Sequence, residues 1–170
     1  FRRMPNGANT AFYQQGAMSF ERVAAAAVLP RSRGTGTVDV VVSTREGLPD
    51  SSLLDELTRY FEERREIAVD VQVKAPAEVE MDVSAELAVR EGADFSAVKA
   101  AAEQALASFF SGRRLGGPVL LAELGDLLYH VEGVENYRLL APAADLAAED
   151  GTLPMLGRVT VTEMEADDDV

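Results

Sequence analysis

Hydrophobic and polar residues recur along this chain with two different periods, and these periods predict its helices and strands. Apolar side chains spaced three and four residues apart indicate an amphipathic helix, whereas strict alternation indicates a strand with one buried face. The clearest alternation runs from Val79 to Val89, with apolar residues on one face and acidic residues and serine on the other. The whole pattern predicts, in order, a helix over 9–20, strands over 23–29 and 38–44, a helix from Ser51 to Arg65, strands over 69–73 and 79–89, helices over 94–110 and 120–131, and strands over 134–141 and 157–163.

Small polar residues and glycine mark the ends of the predicted helices. Asn9 and Asp94 each stand before a periodic apolar run, where a side-chain oxygen can accept a hydrogen bond from the first turn, and Pro49, Asp50 and Ser51 open the second helix. Gly112 follows the third helix at a position where a left-handed C-cap residue is common. The segment from Pro142 to Pro154 is expected to be a linker between the last two strands.

The order of these elements predicts an α+β protein made of two small sandwiches. Each half has three strands and two helices, so a largely antiparallel three-stranded sheet can bury its apolar face against two helices. The division falls at Pro76. We therefore expect a first unit over 1–76, a second over 77–164, and a disordered acidic tail over 165–170.

Composition narrows the class of protein further. The chain has 170 residues and is 47% hydrophobic, long enough for one ordinary domain or for two small ones, each with its own core. Its 29 acidic and 16 basic residues give a net charge of -13, which repels a phosphate backbone, so we expect no nucleic-acid partner. No apolar run approaches the roughly 20 residues that span a bilayer, and we expect no membrane partner either.

The cysteine content limits the kinds of site the chain can hold, and the first residue indicates how the chain begins. The chain contains no Cys, which excludes disulfides, thiolate nucleophiles and thiolate metal sites. It begins with Phe1 rather than Met, and no basic start with a following apolar stretch indicates a secretory signal. We expect the chain to be a fragment whose upstream portion is missing.

Four stretches of sequence, in this order and at this spacing, resemble the C-terminal region of the baseplate J-like family. They extend from about Val23 to Thr162, and the resemblance lies in the whole succession, since each stretch alone is a common strand, turn or helix. The four stretches read VLPRSRGTGTVDVVVSTREGLP, REIAVDVQVKAPAEVEMDVSAEL, GGPVLLAELGDLLYHVEGVENYRLLAP and LGRVTVT.

The resemblance implies a structural role. Proteins of this family resemble wedge subunits in the baseplate of a contractile phage tail or a related injection system. It therefore implies that this chain contacts other baseplate and tail proteins, associates with itself in the full assembly, and is found in the virion tail baseplate, and in the bacterial cytoplasm during assembly. The family offers no catalytic residues to carry over, so no catalytic residue, cofactor or metal ligand is expected. Subunit contacts are expected at exposed strand edges and at loops such as 142–154.

The residues that could carry chemistry favour structural interpretations. His130 is the single histidine, near the end of a predicted helix, and a half-buried or capping role is expected. The sequence Gly34-Thr35-Gly36 lacks the lysine and helix start of a phosphate loop, and a hairpin turn is expected.

Charged pairs give the same indication. The carboxylate pairs Asp82 with Glu86 and Glu62 with Glu63 are expected on exposed faces rather than in a catalytic cleft. The acidic run Asp167–Asp169 lacks the glycine and spaced glutamate of a calcium loop. The doublets Arg64-Arg65 and Arg113-Arg114 are expected at helix ends, either as caps or in ion pairs between subunits.

Two other classes of function are left open by the residues alone. A small-molecule-binding or regulatory α+β module would need a concave apolar pocket with converging polar groups. An acidic-residue hydrolase would need two carboxylates that converge in a cleft.

Overall fold

The computed structural model describes residues 6–66 and 68–165, with side chains from Thr10 onward. Its elements are α1 Asn6–Met18, β1 Ala25–Pro30, β2 Thr37–Ser43, α2 Ser51–Glu62, β3 Asp70–Lys74, β4 Ala77–Val89, α3 Phe95–Phe109, a 3₁₀ helix at Gly112–Arg114, α4 Leu121–Tyr129, β5 Val134–Ala141 and β6 Thr152–Glu163. The predicted helices and strands are all present, and the α+β class is confirmed.

The chain forms two compact units, and neither is one continuous stretch. The first contains the chain up to Glu78 together with Ser111–Gly117 and Glu149–Leu153. The second contains Val79–Phe110, Pro118–Ala148 and the chain from Pro154 onward.

In the first unit, a three-stranded sheet has the order β1-β2-β3. Strands β1 and β2 pair antiparallel, as predicted, whereas β2 and β3 pair parallel. The parallel pair follows from α2, because a helix between two strands returns the chain to the same end of the sheet. The spacing of apolar residues indicates which side chains are buried but not the direction of a strand, so the sequence alone could not predict the parallel pairing.

Helices α1 and α2 pack on one face of the first sheet. Alternate β2 residues Val40 and Val42 point to these helices and are fully buried. Gly16 lets the helices approach closely, because a Cβ atom there would lie 2.9 Å from the Phe61 ring. The core of this unit consists of Tyr13, Ala17, Val23, Val40, Val42, Leu53, Leu57, Phe61 and Val71.

In the second unit, β4 lies between β5 and β6 in another mixed sheet. Strand β4 has the predicted alternation, with Val83, Ala85 and Leu87 buried and Asp82 exposed. Helices α3 and α4 cover the buried face. The core consists of Met81, Val83, Ala85, Leu87, Val98, Ala102, Leu106, Phe110, Val119, Leu124, Leu128, Val134 and Val161.

The predicted helix caps have mixed outcomes. Asp94 accepts a hydrogen bond from the Ser96 amide at 3.4 Å, so this cap is confirmed. Of the three residues expected to open α2, Asp50 is the N-cap and accepts from the Leu53 amide at 2.8 Å. Asn9 is not an N-cap, because α1 begins at Asn6 and Asn9 lies inside the helix.

The prediction for Gly112 is wrong. This residue is not among the glycines with positive φ in the described chain, and it opens the 3₁₀ helix Gly112–Arg114 instead of ending α3. A glycine is needed there for another reason: a Cβ atom would overlap the backbone carbonyl of Thr44.

Strand β6 also begins earlier than predicted. It starts at Thr152 rather than Gly157, and Pro154 lies inside it instead of in a linker. Proline is compatible with this position because β6 is at the edge of its sheet, where an amide can be missing without loss of a ladder hydrogen bond.

Truncation of the first core should lower stability strongly. Leu57→Ala removes a fully buried side chain from α2 and leaves a cavity, so we expect the free energy of unfolding to fall by about 2–4 kcal/mol. Leu54→Ala, on the same helix but only partly buried, should cost less than half of that. Urea unfolding of both variants measures the difference, and equal losses would contradict the packing described here.

Candidate assembly surface

The two sheets present four edge strands with different side chains. The first sheet ends in β1 and β3, and the second ends in β5 and β6. Strands β3, β5 and β6 each carry both an acidic and a basic residue, a common protection against pairing with another chain. Strand β1, with the sequence AAAVLP, carries no charge.

Strand β1 directs backbone hydrogen-bonding groups away from β2. The Arg31 amide donates to the Thr37 carbonyl at 2.9 Å, at the end of the β1–β2 ladder. Bonded pairs occur at every second residue of an antiparallel ladder, so Ala26 and Val28 direct their N–H and C=O groups outward. The next outward position is Pro30, which has no N–H group. This edge can therefore accept a strand over a short stretch.

Large apolar side chains are also exposed in several places. On the described part of the chain, Tyr129 and Leu140 are about half exposed, at 52% and 50%. The other exposed large apolar residues are Phe12, Met18, Leu48 and Leu120. Scattered exposure of this kind is ordinary for a soluble protein, so none of these residues alone identifies an interface.

The negative charge is concentrated in the second unit. Among the described residues, that unit holds 13 acidic and 4 basic residues, a net charge of -9, whereas the first holds 13 acidic and 10 basic residues, a net charge of -3. Like charges repel at contact distances, so two second units resist close approach to each other at low salt. Contacts between copies are electrostatically easier through the first unit.

Three clefts in the described residues are either small or strongly polar. One cavity of about 190 Å³ lies between the β1–β2 turn and Tyr13. Two further clefts, of about 450 and 420 Å³, are lined by charged residues such as Arg45 and Glu86. Small-molecule sites are usually apolar pockets of roughly 300–1,000 Å³, and none of these three has both features.

His130 occupies the C-cap position of α4, which confirms the predicted capping role. Its Nδ1 lies 2.8 Å from the Asp126 carbonyl oxygen and 3.1 Å from a carboxylate oxygen of the same residue. The side chain is 70% exposed, so it is a surface cap rather than a half-buried residue.

The glycine-rich sequence forms the predicted turn between β1 and β2. Gly34 and Gly36 have φ angles of 116° and 80°, which a residue with a side chain rarely adopts. Thr37 donates from its hydroxyl to the Gly34 carbonyl at 2.7 Å.

The arginine doublets differ from each other. Arg64 donates to the Tyr60 carbonyl at 3.0 Å and caps the end of α2, as predicted. Arg65 donates to Glu62 at 2.8 Å and to the Val69 carbonyl at 2.9 Å, so it ties the segment after α2 to the residues before β3. Arg113 and Arg114 lie in the last turn of the separate 3₁₀ helix that follows α3, and their role as caps or in ion pairs between subunits stays a prediction.

The carboxylate pairs have separate partners. Asp82 accepts from the Arg158 amide at 2.7 Å, and Glu86 is 3.3 Å from Arg138. The pair Glu62 and Glu63 likewise contacts two different arginines, Arg65 and Arg64. Asp167–Asp169 lie outside the described residues.

No group of three or more metal-ligating side chains comes together in residues 6–66 and 68–165. None of the helices in that part of the chain is long and apolar enough to cross a membrane.

Sequence reasoning missed the densest charged cluster in the first unit. Asp39, only 3% exposed, accepts from Arg33 at 2.6 Å, from Lys74 at 2.9 Å and from the Ser32 hydroxyl. Arg33 also reaches Asp70 at 2.7 Å, so one guanidinium joins the turn to β2 and β3. An aspartate inside the apolar run VDVVV was the available signal, because a buried charge needs partners.

These partners determine the pKa of Asp39. Burial by itself raises the pKa of this carboxyl group, but hydrogen bonds from Lys74, Ser32 and Arg33 outweigh it and lower the pKa to about 2. The folded state therefore holds Asp39 ionised. The cluster fixes the β1–β2 turn, next to the uncharged edge.

Two family models match consecutive parts of this chain. The Baseplate J-like central domain matches residues 5–75, and the Baseplate J-like protein C-terminal domain matches residues 81–162.

Individual proteins show similarity over most of this chain. It is 30% identical over 143 residues to Baseplate protein J of Escherichia phage P2, covering 82% of this chain and 47% of that protein. It is 25% identical over 174 residues to Phage-like element PBSX protein XkdT of Bacillus subtilis (strain 168), covering 95% of this chain and 50% of that protein. The chain spans about half the length of these relatives.

A solved structure has a similar fold. A chain in the cryo-EM structure of the anti-feeding prophage baseplate, 6-fold symmetrised, superposes with a TM-score of 0.59 at 13% identity. The superposition covers 91% of this chain and 38% of that one.

Neutralising Asp39 should destabilise the chain and change its response to acid. Because the pKa of Asp39 falls from 3.8 in the unfolded chain to about 2 in the folded one, ionised Asp39 stabilises the fold at pH values above 3.8. This stabilisation is lost as the pH falls towards 2. We expect Asp39→Asn to cost about 1–2 kcal/mol at pH 7 and to flatten the loss of stability between pH 4 and pH 2. Urea unfolding across this pH range provides the measurement.

The matched control is Asp70→Asn, whose side chain is 67% exposed and which contacts the same Arg33. Its effect should be clearly smaller, since an exposed pair contributes little. An Asp39→Asn variant with the pH dependence of the unchanged protein would contradict the role of this cluster.

Proposed function

We propose that this chain, which belongs to the baseplate J-like protein family, is part of a structural subunit of a contractile phage-tail baseplate or a prophage-derived injection system. The observation that carries the proposal is the tandem match to the central and C-terminal domains of that family, in order and over most of the chain. The similarity to a phage baseplate protein and the fold shared with a prophage baseplate chain support it.

We propose that the chain acts by assembly and not by catalysis. Asp82, Glu86, Glu62 and Glu63 each contact a donor of their own, an arrangement that suits solvated surfaces better than acid–base chemistry. Its partners are other baseplate and tail proteins and further copies of itself. Nucleic acid and membranes are not among them. Its location is the virion baseplate, and the bacterial cytoplasm during assembly.

Self-association proceeds through the first unit in this proposal. The described residues of the second unit carry a net charge of -9 and repel another copy, whereas those of the first carry only -3. Strand β1 adds outward backbone groups at Ala26 and Val28 and no charge to oppose a second strand. Pairing of two β1 edges would use the same surface on both copies, as a two-fold contact requires.

The loop before β6 offers a second contact surface. Residues 143–145 and 147–150 are exposed, as expected for a binding loop. The loop is held in place, because Asp145 accepts from the Leu121 amide at 2.7 Å and Leu146 bridges to Val119. A loop fixed by such contacts loses little entropy when a partner binds.

The alternative function is a small-molecule-binding or regulatory module. The mainly apolar cleft beside Tyr13 has a volume of only about 190 Å³, below the usual range for such sites. No contact in the described residues favours this alternative over assembly. The division into domains 1–76 and 77–164 stays a prediction, and the acidic tail lies outside the described residues apart from Glu165.

Proline at an outward position of β1 should block self-association without unfolding the chain. Ala26→Pro removes an outward N–H group and leaves the bonds to β2 intact, so we expect a lower association constant, by tenfold or more, with little change in the unfolding midpoint. Sedimentation of the chain over a range of concentrations measures the constant. Ala27→Pro is the control, because it removes a bond to β2 and should lower the midpoint itself.

The baseplate role is tested with the full-length parent protein. We expect it to co-purify with products of neighbouring genes as a wedge- or ring-shaped complex visible by electron microscopy. A solitary protein that carries a small ligand would contradict the assembly role and favour the alternative.

A further inference from the structure

The first sheet has two faces, and helices α1 and α2 cover only one of them. Val41 and Ser43 alternate with the helix-facing residues of β2 and point the other way. They are nevertheless buried, with 4% and 0% of their surface exposed. Other parts of the first unit must therefore cover this second face.

One cover is the segment Ser111–Gly117. The buried Ser43 hydroxyl donates to the Gly112 carbonyl, and the Gly112 amide lies 3.4 Å from the Arg45 carbonyl. The approach is so close that a Cβ atom on Gly112 would overlap the Thr44 carbonyl. Backbone thus packs directly on backbone at the end of β2.

The other cover is the segment Glu149–Leu153. Gly151, with a φ of 73°, lies against Leu29 and Val41, and a Cβ atom there would be 3.2 Å from the Leu29 Cδ1 atom. The Gly151 carbonyl accepts from the Ala77 amide at 3.0 Å. The segment also includes Leu153, which is fully buried.

The two covering segments are bonded to each other. The Gly116 amide donates to the Thr152 carbonyl at 2.7 Å. We call the pair, residues 111–117 and 149–153, the clasp. Both segments fall inside residues 81–162, the range that matches the C-terminal family domain, although their contacts place them in the first unit.

We propose that the clasp is an integral part of the first unit, so that the region matching the central family domain depends for its stability on residues from the region matching the C-terminal one. Without the clasp, the second face of β2 would expose Val41 and leave the Ser43 hydroxyl without its acceptor. Exposed apolar surface and a lost buried hydrogen bond both destabilise the folded state. This inference does not rest on the baseplate role.

Gly112→Ala in the full chain tests the proposal. The added methyl group meets a backbone carbonyl, which cannot rotate away as a side chain could. Native-state hydrogen exchange should show amides of β1, β2 and β3 losing protection by on the order of tenfold or more. Amides of α4 and β5 should keep theirs.

Gly125→Ala is a matched control inside the same family-domain range. Its Cβ atom would meet the ring and hydroxyl of Tyr137, a side chain in the second unit that can rotate, so a smaller loss of protection should appear in α4 and β5 and spare β2. Opposite patterns in the two variants support the clasp. The same pattern in both, or no change at β2 in Gly112→Ala, would overturn it.

A milder variant guards against complete unfolding by Gly112→Ala. Ser43→Ala removes only the hydroxyl that donates to Gly112, and it should reduce protection of the same β2 amides by a smaller factor. Unchanged protection in Ser43→Ala and global unfolding in Gly112→Ala would together count against the proposal.

Discussion

The central strand of the first sheet is buried on both sides, and this constraint organises the unit around it. The run VDVVV in β2 alternates between the helix side, with Val40 and Val42, and the clasp side, with Asp39 and Val41. A strand buried on both faces needs a nearly continuous apolar sequence and two layers of cover. Two helices provide one layer, and two backbone segments contribute to the other.

The second sheet needs to be covered on only one face. Strand β4 alternates strictly, so the face that carries Glu80 and Asp82 stays in water and only the other face needs helices α3 and α4. The two units therefore have the same count of strands and helices but different requirements. Strand β4 needs cover on one face only, and the helices of its own unit supply it. Strand β2 needs cover on both faces, and segments distant in sequence contribute to the second.

Buried charge is tolerated in β2 because three partners, from the β1–β2 turn and from β3, surround it. The turn contributes Ser32 and Arg33, and β3 contributes Lys74, so the Asp39 carboxylate is held by donors on both sides. Removal of a partner would leave a buried charge without compensation. This would destabilise the folded state by more than the intact ion pair stabilises it. The cluster thereby holds the β1–β2 turn in one conformation, beside the edge through which we propose that copies meet.

The proposed assembly role requires stable surfaces more than it requires a cleft. Here most strand edges carry charge that opposes unwanted pairing, and the second unit carries most of the net negative charge of the described residues. The uncharged edge of β1 stands out against this background. The two family models match continuous ranges, 5–75 and 81–162, whereas the compact units are defined by contacts in space. The clasp lies in the second range but belongs to the first unit.

The sequence by itself determined the elements, their order, the α+β class and the family resemblance, because periodicity, caps and turns depend on neighbouring residues. It identified the cap Asp94, the Gly34–Gly36 turn and the capping position of His130 for the same reason. It could not determine the parallel pairing of β2 with β3, the partners of Asp39 or the role of Gly112. Those depend on residues far apart in the chain, Gly112 against Thr44 or Lys74 against Asp39, which only the tertiary structure brings together.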